Sequence, residues 1–156
     1  RSDSQYASRR ADCARVEREI GPLRDAAVGD LAGIGDARLR ARARHVITEN
    51  RRVLAMVEAL AAGELTALGP IMAESHASLR DDFEVSTPVL DELVARLQAT
   101  AGVLGARLTG GGFGGVAVAV VRTGTSLEGW RVRASGGARL LDPTRVQAVA
   151  GPAVSG

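Results

Sequence analysis

The stretch with the strongest claim to chemistry is Leu108-Thr109-Gly110-Gly111-Gly112-Phe113-Gly114-Gly115, five glycines in the six positions from Gly110 to Gly115. Such a run is entropically costly to order, so the chain there needs either positive φ or room beside its main chain. Successive amides in a loop of this kind can point the same way and cradle an anion such as a phosphate. A flexible hairpin connection has the same composition, and the spacing is not the G-x-x-x-x-G-K-[ST] of phosphate-binding loops, so both readings stand. Other candidates are local. His45 and Glu49 are four apart and share a helical face, which suits a His-Glu hydrogen bond better than a metal site, since no second ligand pair lies nearby. Ser75, His76, Asp81 and Asp82 crowd one helix end. A hydrolase triad draws its members from separate elements, so a polar helix end packed on its neighbour is the expectation there. Asp81 and Asp82 read as a solvated helix terminus rather than an Mg²⁺ pair. Cys13 falls on an inward stripe, where a thiol is inert. Tyr6, the only tyrosine, immediately precedes a helix and reads first as a packed aromatic.

The elements that would position these residues follow from periodicity. Arg1 to Ala7 is expected to be a loop, followed by a helix to Ile20 with Tyr6, Arg9, Cys13, Val16 and Ile20 along one stripe, stopped by Gly21-Pro22. Leu23 to Gly35 suits a short helix and turns. Asp36 caps the strongest helix, which runs to Ala62 before Gly63, with Leu39, Ala43, Val46, Ile47, Val53, Leu54, Val57 and Leu60 as its apolar stripe and its arginines on the other faces. Helices over 64–79, with a restart at Pro70, and over 88–99, capped by Ser86 or Thr87 with Leu90, Leu93, Val94 and Leu97 inward, come next. Val103 to Leu108 and Val116 to Val121 are strands around the glycine loop. A loop over 122–129 leads to an expected strand at Trp130 to Ala134 and another near Ala138 to Leu141, before a tail over 143–156 expected to be mobile. Helices first and strands last give an α+β fold, with helices packed on one face of a small antiparallel sheet, as one domain over 1–156.

Composition narrows the function classes. With 20 basic against 18 acidic residues the formal charge is only +2, and aromatic residues make up 3% of the chain, which together set nucleic acid aside. A single cysteine, Cys13, excludes an intrachain disulfide and paired-cysteine zinc sites, and makes a reducing compartment the default. No apolar run approaches the roughly 20 residues of a membrane-spanning helix. A cytoplasmic protein with neither membrane nor nucleic-acid partner is expected, and a start at Arg1 rather than Met suggests a piece of a longer polypeptide.

Three segments together resemble the galactokinases, a family within the sugar and small-metabolite kinases called GHMP kinases. Gly105-Ala106-Arg107-Leu108-Thr109-Gly110-Gly111-Gly112-Phe113-Gly114-Gly115 is similar to that family's third, C-terminal glycine motif. Ser75-His76-Ala77-Ser78-Leu79-Arg80-Asp81-Asp82-Phe83-Glu84-Val85-Ser86 resembles a stretch that marks galactokinases among their relatives. Tyr6-Ala7-Ser8-Arg9-Arg10-Ala11-Asp12-Cys13 is similar to the segment opening the second half of those enzymes, and Arg42-Ala43-Arg44-His45-Val46-Ile47-Thr48-Glu49-Asn50 also fits.

This resemblance implies ATP-dependent phosphorylation of galactose at its anomeric hydroxyl, with ATP and Mg²⁺ as cofactors. It implies that Tyr6 contacts the sugar and that Gly110, Gly111, Gly112, Phe113, Gly114 and Gly115 border the sugar and phosphate sites. The family's G-E-H-x-D-Y and G-L-S-S-S-A motifs and its catalytic aspartate and arginine belong to an N-terminal half with no counterpart in this sequence. No catalytic residue and no metal ligand is therefore assigned here, and the chain alone is expected to be inactive. The same resemblance implies an N-terminal galactokinase half as partner, an exposed apolar surface to receive it, and a helix between Val121 and Trp130 that this sequence is too short to hold. The alternative is a catalytically inactive binding or interaction module, or a degenerate fragment, that keeps the fold.

Overall fold

A computed structural model describes residues 2–134 and 136. Its contacts divide the chain into two units, Arg1–Thr125 and Ser126–Gly156. In the first unit, α1 (Ser2–Ile20) already includes the stretch expected as a loop before Ala7. Polarity is no barrier to a helical turn, and the period that carries Arg9, Cys13 and Val16 extends back through Tyr6. Gly21, at φ 85°, ends it by returning its amide to Glu17 O at 3.0 Å. A 3-10 helix (Val28–Gly33) follows. Then comes α2 (Ala37–Ala62), where the Asp36 side chain accepts the Arg38 and Leu39 amides and Gly63 adopts the left-handed geometry that closes a helix.

A single 3-10 turn (Leu65–Ala67) leads into α3 (Leu68–Asp81), with Pro70 inside its first turn as a missing amide requires. The helix α4 (Pro88–Ala99) opens on Pro88, with Thr87 Oγ1 accepting the Leu90 amide. The chain ends its regular structure in a hairpin of β1 (Val103–Thr109) and β2 (Val116–Val121), paired antiparallel with Thr109 opposite Val116. Helices plus a small antiparallel sheet make this an α+β fold. Both α3 and α4 pack on β1. The closest approach uses Gly69 and Gly105, where a Cβ would meet Leu104 O at 2.7 Å or Met72 Sδ at 2.9 Å.

Two apolar clusters result. The larger gathers Val16, Leu23, Leu31, Ile34, Leu39, Ala43 and Ile47, with Cys13 half-buried against it. The smaller joins Val85, Leu90 and Leu108 to Leu79, Phe83 and Phe113, under the glycine loop. Between them Arg42 departs from the expectation that the arginines of α2 face outward, because it is 1% exposed. Its planar fork donates to Asp82 O and to Glu84 Oε2, beside Asp12 Oδ2 at 4.0 Å from its Nε. An arginine is suited to that place because its fork meets two acceptors at once.

In the second unit no residue among 126–134 is in a strand, which corrects the expectation at Trp130 to Ala134. Alternating Trp130, Val132 and Ala134 suit a strand, but a strand also needs a neighbouring strand to bond, and the sheet among the described residues holds β1 and β2 alone. The expected strand near Ala138 to Leu141 and the tail over 143–156 lie outside the described residues.

Candidate active-site loop

The glycine stretch is the connection between β1 and β2, and it is tied down. The Phe113 amide donates to Val85 O at 2.8 Å, and Gly112 lies so close to that segment that a Cβ would stand 2.2 Å from Val85 O. Gly112 also has φ 79°, so position 112 excludes side chains by both space and backbone geometry. Phe113 takes φ 57° despite its side chain, and it packs into the smaller cluster. A bulky residue in the left-handed region is held there only by surroundings that compensate its strain. Among the described residues, the backbone bonds of turns and loops include none from the amides of Gly111, Gly114 and Gly115.

Arg9 reaches this loop from α1. Its Nε donates to Phe83 O at 2.7 Å and its Nη2 to Glu84 O at 3.0 Å, and its guanidinium lies 5.8 Å from the Phe113 ring centroid. Tyr6 stands one turn earlier on the same helix, inside α1 rather than before it, and is exposed. Residues three apart on a helix share a face, so Tyr6 and Arg9 lie along one side of α1.

The two histidines are buried and hold opposite tautomers. Ser78 donates its hydroxyl to Asp82 Oδ2 at 3.0 Å, so the 3.0 Å contact between His45 Nδ1 and Ser78 Oγ has the ring as donor. The expected His45-Glu49 bond does not form, because each residue reaches across to α3 instead. Burial pushes His45 down to about 4, against the attraction of Glu49, and its ring stacks on Phe83. His76 Nδ1 instead accepts the Leu108 amide at 3.3 Å, which leaves the ring proton on Nε2, 3.1 Å from Asp91 Oδ1. Burial lowers its pKa too, with Asp91 opposing.

The other candidate carboxylates, Glu49, Asp81 and Asp82, are taken. Glu49 accepts from Ser75 at 2.7 Å, from Arg52 at 2.8 Å and from Arg107. Burial alone would raise its pKa, but those partners hold it below the usual carboxylate range. Asp82 accepts from Arg44, and Asp81 pairs with Arg80 at 2.8 Å, so this helix end is a set of ion pairs. The Cys13 thiol is pushed up to about 11, first by burial and then by Glu17 and Asp12. A thiol so raised is a poor nucleophile.

Sequence reasoning singled out Tyr6 and the loop but passed over Arg9, Asp91 and Arg107. Arg9 had a local signal, its three-residue spacing from Tyr6. Arg107 had none, since 58 positions separate it from Glu49.

Residues 56–129 match the family model described as GHMP kinases C terminal. The galactokinase of Mycobacterium bovis is 44% identical over 122 residues, 75% of this chain and 33% of that protein. Those of Roseiflexus sp. and Chloroflexus aurantiacus are 46% and 47% identical, covering 82% and 76% of this chain and 35% and 33% of theirs. The solved structure of Lactococcus lactis galactokinase complexed with galactose superposes with a TM-score of 0.69 at 42% identity, over 76% of this chain and 33% of that one. This chain thus spans about a third of the length of the relatives it matches. The agreement of fold, matched segment and sequence makes this chain similar to a C-terminal portion of galactokinases, with a GHMP kinase C-terminal segment over residues 56–129.

Proposed function

We infer that the chain is the C-terminal part of an ATP-dependent kinase that phosphorylates galactose at its anomeric hydroxyl, and that it contributes the loop Gly110–Gly115 and Tyr6 to the site. The observation that carries this is the loop itself, docked on Val85 through Phe113 and Gly112 with the amides of Gly111, Gly114 and Gly115 outside the backbone bonds of turns and loops. Such amides on a held backbone are suited to a phosphate. The described residues fit ATP in that respect, and when bound it would supply the transferred phosphoryl group. They do not fit Mg²⁺, because Asp81 and Asp82 are each paired with arginine and no cluster of metal-ligating residues occurs among the described residues. The metal's donors are then expected from an N-terminal galactokinase half, as are the catalytic groups.

Support for such a partner comes from α2, where Val53, Leu54, Val57 and Leu60 are 54–63% exposed. Apolar residues so grouped favour an interaction surface. Separately produced N-terminal halves, for instance that of the Chloroflexus aurantiacus enzyme, test this directly. Galactose-dependent ATP turnover is expected on mixing and none from the chain alone. Turnover by the chain alone would remove the need for the missing half. In the active mixture, Tyr6→Phe is expected to raise KM for galactose more than it lowers kcat.

A second reading has its own observation. After β2 no helix occurs over residues 122–134, and the sheet among the described residues has two strands. That favours an inactive binding or interaction module, or a degenerate fragment, with the same fold. A well-folded monomer with no affinity for any galactokinase N-terminal half would decide for it.

A further inference from the structure

The glycine loop is held at two points, one by the segment after α3 and one by α3 itself. Its middle is fixed by the Phe113 amide on Val85 O. Its entry, Leu108, donates its amide to His76 Nδ1, and His76 Nε2 faces Asp91 Oδ1 at 3.1 Å. Asp91 in turn accepts the hydroxyl of Ser86 at 2.5 Å. Leu108, His76, Asp91, Ser86, Val85 and Phe113 therefore close a ring through α3, α4 and β1, with the first half of the loop as its remaining side. Every link is buried or half-buried.

We propose that His76 is the positioning residue of the glycine loop, and that it acts as a proton-sensitive latch: the neutral ring accepts the Leu108 amide, and a protonated ring releases it. A protonated imidazole has donors at both nitrogens and no lone pair to offer, so the Leu108 bond is lost on protonation while the Asp91 contact becomes a full ion pair. The charged groups acting on the ring are Asp91 from α4 and Arg80 and Asp81 from its own helix, and β1 presents the Leu108 amide. Asp91 therefore sets how readily the latch opens, and Ser86 orients Asp91. That the loop so positioned serves a sugar and a phosphate rests on the kinase reading above, whereas the latch itself does not.

The test needs neither substrate. Amide and imidazole resonances of the full chain are followed by NMR from about pH 8 to about pH 4. Leu108 and Gly110 to Gly112 are expected to move with the midpoint of the His76 ring, below the ordinary histidine value. In His76→Gln, whose side-chain oxygen can accept the amide but cannot titrate there, that inflection is expected to vanish. Loop amides that still titrate with the same midpoint in His76→Gln would overturn the latch, as would loop amides that ignore the His76 ring in the unmodified chain. Should His76→Gln fail to fold, Asp91→Asn keeps the ring and removes its carboxylate. The ring and loop midpoints are then expected to fall together, and a ring midpoint that falls while the loop stays overturns the proposal. A failed latch leaves the mixing experiment untouched, so the two ideas fall separately.

Discussion

The two halves of α2 carry one apolar period and meet opposite surroundings. Along the first half, Leu39, Ala43 and Ile47 are buried under α1 and the 3-10 helix, and Arg42 and His45 are buried toward α3 and the turn after it. Along the second half, Val53, Leu54, Val57 and Leu60 carry the period onward with more than half of each side chain exposed, and Ala59 is the buried residue. A period fixes which residues share a face, but whether that face is covered depends on elements distant in sequence. The covered half contributes to the stability of this chain, and the bare half contributes little.

Substitutions can break that contrast, and the largest effect is expected at Arg42. Arg42→Ala leaves Asp12, itself 5% exposed, without its buried neighbour and frees Asp82 O and Glu84, so a loss of about 3–5 kcal/mol is expected in urea unfolding. Retention of full stability would mean that the buried ion network does not hold α1 and α2 together. Ile47→Ala follows, with an expected loss of about 3 kcal/mol from lost burial and the cavity left behind. Unfolding free energy of that variant at fixed pH is the check.

Acid sharpens the contrast from another side. His45 titrates at about 4 in the fold against 6.5 when free, so between those values the unfolded chain binds the extra proton and the fold does not. Its contribution is complete above about pH 6.5 and is lost as pH falls toward 4, an expected loss on the order of 3 kcal/mol. Stability measured across that window should fall more gently in His45→Gln. The smallest effect is expected on the bare half, where Leu54→Ser and Leu60→Ser should change the stability of the chain by no more than about 0.5 kcal/mol. Under the kinase reading, the same pair should weaken capture of an N-terminal galactokinase half, measurable by titration calorimetry.

Much of this fold is legible locally. Asp36 ahead of an apolar period and Gly63 after it mark α2 to the residue, and Thr87-Pro88 does the same for α4, because caps and proline act within one turn. The hairpin is equally plain from two valine-rich runs around glycines. What local pattern cannot show is pairing across the chain. Ser78 and His45 are 33 positions apart and Arg107 and Glu49 are 58 apart, and nothing near any of them signals a partner. Arg42 looks in sequence like its arginine neighbours, and only the turn at Asp82 to Glu84 distinguishes it. Trp130 to Ala134 shows the converse, since alternation reads as a strand where none of the described strands is paired with it. Tyr6 and the loop are visible by their residue types, while the bonds of Arg9 to Phe83 and Glu84 appear only once those residues are folded against α1.

The hairpin's outer edge on β1 is already occupied. On β1, the Leu108 amide goes to His76 and Gln98 Nε2 donates to Ala106 O at 3.0 Å, so side chains already occupy the groups that a further strand would use. A newcomer there would have to displace both. That seal on β1 protects the chain from joining copies of itself along the side nearest its glycine loop.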